Sequence, residues 1–273
     1  MTEERGRHEL ATKRLVYEIA GVDAVTIRPD VEYRAADAEP STMDIYYPPD
    51  AQRRARTPVI VIVAGYPDVG FEKFVGCKFK EMQSSIGWGR LIAASGLVAI
   101  TYANRQPAAD LDSLIRHVRE NDAALGIDGS RIGIWASSGN VPLALSVLVR
   151  ATEPPLRCAV LCYGYMLDLD GSSTVADTAR MVGFVNPCAG TSVSDLPADV
   201  PLFIARAGRD EMPGLNAVLD RFVAGALACN LPLTVANHPK GPHAFDLVDD
   251  SEASRDIIRQ ILAFLRRCML WSD

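Results

Sequence analysis

Three residue types that together make a hydroxyl nucleophilic follow one another along the chain, each just beyond an apolar run. Ser137-Ser138-Gly139-Asn140 comes after RIGIW (131–135) and Ala136. Asp210 comes after PLFIARA (201–207), in Gly208-Arg209-Asp210-Glu211. His243 comes after PLTVAN (232–237), in Gly241-Pro242-His243-Ala244-Phe245. A histidine can take the proton of a serine hydroxyl as its oxygen attacks a carbonyl, and a carboxylate can hold the imidazole in the tautomer that does so. The chemistry open to such a set is acyl transfer through a covalent intermediate. A fourth apolar run, PVIVIVA (58–64), ends in the turn Gly65-Tyr66-Pro67-Asp68.

The elements that must position these residues are readable as strands and helices. PVIVIVA, LVAITY (97–102), RIGIW, CAVLCYG (158–164), PLFIARA and PLTVAN are continuous apolar runs, the pattern of a parallel sheet covered on both faces. Before them, AVTIRPDVEYR and TMDIYYPP alternate and are joined by the polar AADAEPS, which predicts an antiparallel hairpin. ADLDSLIRHVRENDAALG sets Leu111, Leu114, Ile115 and Val118 at helical spacing and stops on Gly126. GLNAVLDRFVAGALAC and the segment from Ser251 to Leu270 are amphipathic helices, the second opening on a serine cap. The expectation is one α/β domain over 1–273, with a mostly parallel, doubly wound sheet of about eight strands. Residues 165–199 are long for a plain connection and read as a small lid inserted over a site.

Composition narrows the function classes. With 273 residues, 48% of them apolar and a net charge of −6, the chain can build a sizeable core and is a poor nucleic-acid binder. The polar start and the shortness of every apolar run predict no membrane span, and a cytoplasmic protein. Six cysteines are scattered with no C-x-x-C pair, so no metal is expected. Cys158, Cys162 and Cys229 sit in apolar surroundings and read as reduced core thiols. Arg206, Asp68, Glu72 and Arg209 lie in or beside the strand-end loops, which fits either a partly polar substrate or ordinary surface charge.

In such sheets ligands sit beyond the carboxyl ends of the strands. Taken with the chain order serine, acid, histidine, the sequence over roughly 40–268 resembles an α/β-hydrolase of the esterase and dienelactone-hydrolase-like group. DGSRIGIWASSGNVPLAL is similar to that family's elbow, a strand followed by G-x-S-x-G-G and a helix. ARAGRDEMPG resembles its acid loop, GPHAFD its G-x-H-x-F loop, and VIVAGYPD its H-G oxyanion loop. In the gapless register Ser138 is the nucleophile, with Ala136 and Asn140 where the family has glycine. The alternative, Ser137, would put bulky Trp135 where the tight turn needs a tiny residue. Among non-glycine residues asparagine best tolerates an unusual backbone angle.

The resemblance makes Asp210 the acid and His243 the base, and assigns the oxyanion donors to the backbone N–H groups of Tyr66 and Gly139. Glu211, Asp168 and Asp170 are rival acids. His238 is a rival base, and His8 and His117 read as ordinary surface residues. The implied activity is cofactor-free hydrolysis of small to medium carboxylic esters. C–C, lactone or amide hydrolysis, acyl transfer, and a non-catalytic binding protein on the same scaffold are the alternatives. A dienelactone hydrolase proper has a cysteine nucleophile, and no cysteine lies at this elbow. The partner implied is a small-molecule ester; homodimerisation is left open.

Overall fold

The computed structural model describes residues 9–34, 40–51, 56–150 and 153–271. His8 and most of the AADAEPS connection lie outside them. Eight strands form one sheet: β1 (Thr26–Arg34), β2 (Ser41–Tyr47), β3 (Thr57–Ile62), β4 (Val98–Tyr102), β5 (Ile127–Ser137), β6 (Ala159–Cys162), β7 (Leu202–Ala207) and β8 (Leu233–His238). Their spatial order is β1-β2-β4-β3-β5-β6-β7-β8. β1 and β2 are an antiparallel pair, β2 meets β4 antiparallel, and every other pairing is parallel. Each apolar run thus becomes a strand. β3 and β4 are buried along their whole length, as expected where helices cover both faces of a parallel sheet.

The helices are α1 (Glu9–Thr12), α2 (Asp68–Val75), α3 (Gln83–Ala94), α4 (Pro107–Glu120), α5 (Asp122–Leu125), α6 (Val141–Val149), α7 (Thr174–Val182), α8 (Leu215–Ala228), α9 (Phe245–Val248) and α10 (Glu252–Leu270). α10 buries Ile257, Ile258, Ile261, Leu262 and Leu265 against β3, β5, β7 and β8, and its Ser251 cap accepts the Ser254 N–H. The helical stretch ending on Gly126 is broken at Asn121 into α4 and α5, and Gly126 closes α5 at φ 65°. No helix among the described residues is long and apolar enough to cross a membrane.

Among the elements that periodicity does not single out are α3 and α2. α3 has the sequence QSSIGWGRLIAA, and its two glycines weaken any helical reading. Packing explains one of them: a Cβ on Gly89 would come within 2.8 Å of the Tyr46 ring. α2 follows the Gly65-Tyr66-Pro67 turn directly and is only eight residues long. Cys158 and Cys162 are buried as expected, whereas Cys229 is exposed. It is the C-cap residue of α8, where the helix leaves the core.

Candidate active site

Ser138, Asp210 and His243 converge beyond the carboxyl ends of β5, β7 and β8. The Ser138 hydroxyl lies 2.9 Å from His243 Nε2, and His243 Nδ1 lies 2.7 Å from Asp210 Oδ2. The Asp210 side chain is fully buried and the His243 ring is about a quarter exposed. Asp210 Oδ1 also accepts the Met212 N–H at 2.9 Å, so both carboxylate oxygens are engaged. Acid loop and histidine loop are stitched together: Gly208 N–H donates to the His238 carbonyl and Arg209 N–H to that of Gly241. Gly208 is needed there, because a Cβ would sit 2.6 Å from the Pro239 carbonyl oxygen.

At the elbow the strain falls on the serine. Ser138 has φ 54°, left-handed for a non-glycine residue, while Ser137 is ordinary strand backbone paired with Cys162. Asn140 takes up no unusual angle; its φ of −83° is helical. Its side chain has another task, accepting the Gly65 N–H at 2.7 Å across 75 residues of sequence. The Gly65 carbonyl in turn accepts the Val185 N–H at 2.9 Å, so the turn after β3 is tied to the elbow on one side and to the 165–199 segment on the other. Tyr66 N–H donates to no backbone acceptor among the described residues. Gly139 lies under the Tyr66 ring, and a Cβ there would meet the Tyr66 hydroxyl at 2.3 Å.

The rival residues are occupied elsewhere. Asp168 accepts the N–H groups of Val175 and Ala176, capping the first turn of α7. Glu211 is exposed. His238 is buried, its Nε2 2.8 Å from Asp249 and 3.1 Å from Ser254 Oγ, and His117 lies on α4, its backbone carbonyl accepting the Asn121 side-chain N–H.

These residues open into a cavity of about 610 Å³ walled by α2, the end of α7 and the start of α3, with Phe71, Phe79, Val182 and Leu247 among its apolar lining. The four charges beside the strand ends do not line it. Arg206 pairs with Asp220 and Asn237, and Glu72 and Arg209 are exposed elsewhere. Asp68, the first residue of α2, is buried and accepts the N–H groups of Phe79 and Asn104. Among the described residues the one carboxylate in the lining is Asp246, which the motifs do not single out; its place three residues after His243 is the only signal in the sequence. Among the described residues no group of three or more His, Cys, Asp or Glu side chains is placed to hold a metal ion.

Burial pushes the Asp68 carboxyl up to about 6, against the pull of its two N–H donors. With its folded value above the unfolded one, the folded protein holds this proton more tightly. The carboxyl therefore costs stability as the pH rises from about 4 to 6. The shift corresponds to roughly 3 kcal/mol. Between pH 4 and 7, Asp68→Asn should gain about that much on the wild type in urea unfolding, and a pH-independent difference would contradict it.

No protein-family model matches the chain, and no curated protein matches it. Solved structures do. It superposes on a bacterial heroin esterase with a TM-score of 0.70 at 15% identity, covering 93% of this chain and 87% of that one. A thermophilic esterase from the planctomycete Thermogutta terrifontis gives 0.67 at 18%, covering 93% and 95%. An α/β hydrolase from the metagenome of Lake Arreo, Spain, gives 0.65 at 19%, covering 91% and 83%. With this strand order, this elbow and these neighbours, the chain has the α/β-hydrolase fold.

Proposed function

We propose that the protein is a serine hydrolase of carboxylic esters with small to medium acyl groups, working through an acyl-enzyme. One observation carries the reading: a strained serine, a histidine and a buried aspartate hydrogen-bonded in series at the wall of an apolar cavity. Ser138 Oγ attacks the ester carbonyl as its proton passes to His243 Nε2, while Nδ1–H stays on Asp210. The tetrahedral oxyanion is held by the N–H groups of Tyr66 and Gly139. Collapse expels the alcohol, which takes the proton from His243. Water, deprotonated by the same nitrogen, then releases the acid and restores the serine. Residues 165–199 act as a lid on the single domain, since Met181, Val182 and Gly183 line the cavity. Buried free thiols at Cys158 and Cys162 fit a cytoplasmic setting.

The test is turnover of short-chain p-nitrophenyl esters together with labelling by a fluorophosphonate probe. One adduct per chain, mapped to Ser138, is expected; no turnover and no adduct would sink the reading. Asn140→Ala probes the oxyanion loop. Without its amide oxygen the buried Gly65 N–H loses its acceptor and the Tyr66 turn is free to drift from Gly139. The expected result is a fall in kcat of about 10- to 100-fold with KM little changed, since only the transition state uses those donors.

A further inference from the structure

One part of the cavity lining carries polar groups, and nothing in the proposed ester chemistry uses them. Asp246 is 2% exposed, yet it lines the cavity together with Ser84, Ser85, Trp88, Trp135 and Tyr163. Tyr163 donates its hydroxyl to Asp246 Oδ1 at 2.6 Å, and Trp88 donates its indole N–H to Oδ2 at 2.9 Å. A carboxylate oxygen can accept more than one hydrogen bond, so each retains capacity for a further donor. Beside it, Trp135 packs on Trp88 with ring centroids 4.7 Å apart. The Trp135 indole N–H is buried and has no hydrogen-bond partner among the described residues. Burying an unmet indole donor beside an apolar cavity is costly unless something pairs with it there.

We infer that this part of the lining is a substrate subsite for an alcohol hydroxyl, which donates to Asp246 and accepts from the Trp135 indole N–H. The inference rests on the proposed ester hydrolysis and narrows its substrates to esters whose apolar chain carries a distal hydroxyl. A hydroxyl suits the site better than an ammonium, because a cation would have nothing to offer the Trp135 donor. A second carboxylate would be repelled by Asp246. Bulk hydrophobicity recruits the chain, and the hydroxyl is what distinguishes one chain from another: a site built to pair with a hydroxyl discriminates strongly against the analogue lacking it.

The test uses matched ester pairs with chains of four to ten carbons, with and without a terminal hydroxyl, placed on the acyl side in one series and on the alcohol side in the other. In the wild type the best-fitting hydroxylated ester should exceed its parent in kcat/KM by about 10-fold or more. Asp246→Asn and Trp135→Phe should each pull that ratio down by about 10-fold. A ratio near one at every length on both sides, or a ratio that neither variant moves, would overturn the subsite. Binding gives a readout independent of turnover: in Ser138→Ala, indole fluorescence titration should give a lower Kd for the hydroxylated ester of the best pair. Equal Kd values overturn the subsite even if no ester is hydrolysed. Brisk hydrolysis of the parent esters without preference would leave the serine chemistry intact and remove only the subsite.

Discussion

Ser138→Ala should lower kcat/KM for a short-chain p-nitrophenyl ester by about 10⁴- to 10⁶-fold, whereas Ser137→Ala should stay within about 10-fold of the wild type. The two serines are neighbours, but the backbone turns between them. Ser137 ends β5 in extended conformation and belongs to the ladder with β6. Ser138 sits at φ 54°, and that angle is what brings its oxygen to 2.9 Å from His243 Nε2. Under the proposed mechanism, removing Ser138 Oγ removes the atom that would form the acyl-enzyme, leaving whatever the proposed oxyanion donors contribute alone. Removing Ser137 Oγ changes a side chain in the cavity lining. Steady-state kinetics on both variants, with thermal melting to confirm that each is folded, decide the matter. Activity that survives in Ser138→Ala and disappears in Ser137→Ala would transfer the nucleophile to Ser137.

Asp210→Asn should cost about 10⁴-fold in kcat at neutral pH, although the replacement is nearly isosteric. The reason lies in how both oxygens are used. Oδ1 accepts from the Met212 backbone N–H and Oδ2 faces His243 Nδ1. An amide has one acceptor and one donor end, and the backbone N–H cannot turn round. The amide oxygen therefore goes to Met212 and its NH₂ group faces His243. Nδ1 must then be the unprotonated nitrogen, which leaves the proton on Nε2, where it cannot receive another from Ser138. The same substitution at Asp168 should leave kcat within a few-fold, because that carboxylate caps α7 rather than facing a histidine. Comparable losses at Asp168 and Asp210 would mean that the acid has been misassigned.

Neither substitution touches the apolar walls of the cavity, and those walls were the least legible part of the molecule. α3 is spelled with two glycines, and its helical state rests on tertiary contacts such as Gly89 against Tyr46. Position beside a strand end does not say where a charge points, and the fold sends these away from the cavity: Arg206 to Asp220, Asp68 to the N–H groups of Phe79 and Asn104. The elbow pattern points to the backbone tolerance of Asn140, but the residue serves through its side chain. The elbow pattern could not show this, because the partner is Gly65, on a different strand end.

What the sequence determined by itself is local. Continuous apolar runs specify buried parallel strands, glycine and serine mark helix ends, and the bulk of Trp135 sets the register at the elbow. The order serine, acid, histidine then places three residues at three strand ends. The tertiary structure alone decided which side chains meet. It closed the 2.7–2.9 Å relay through His243, tied Asn140 to Gly65, and set Asp246 against Tyr163 and Trp88, the latter 158 residues away. The physical reason is range. Periodicity and turn chemistry act over a few residues of chain, whereas a hydrogen bond between distant strand ends depends on sheet order, register and the thickness of what packs between them.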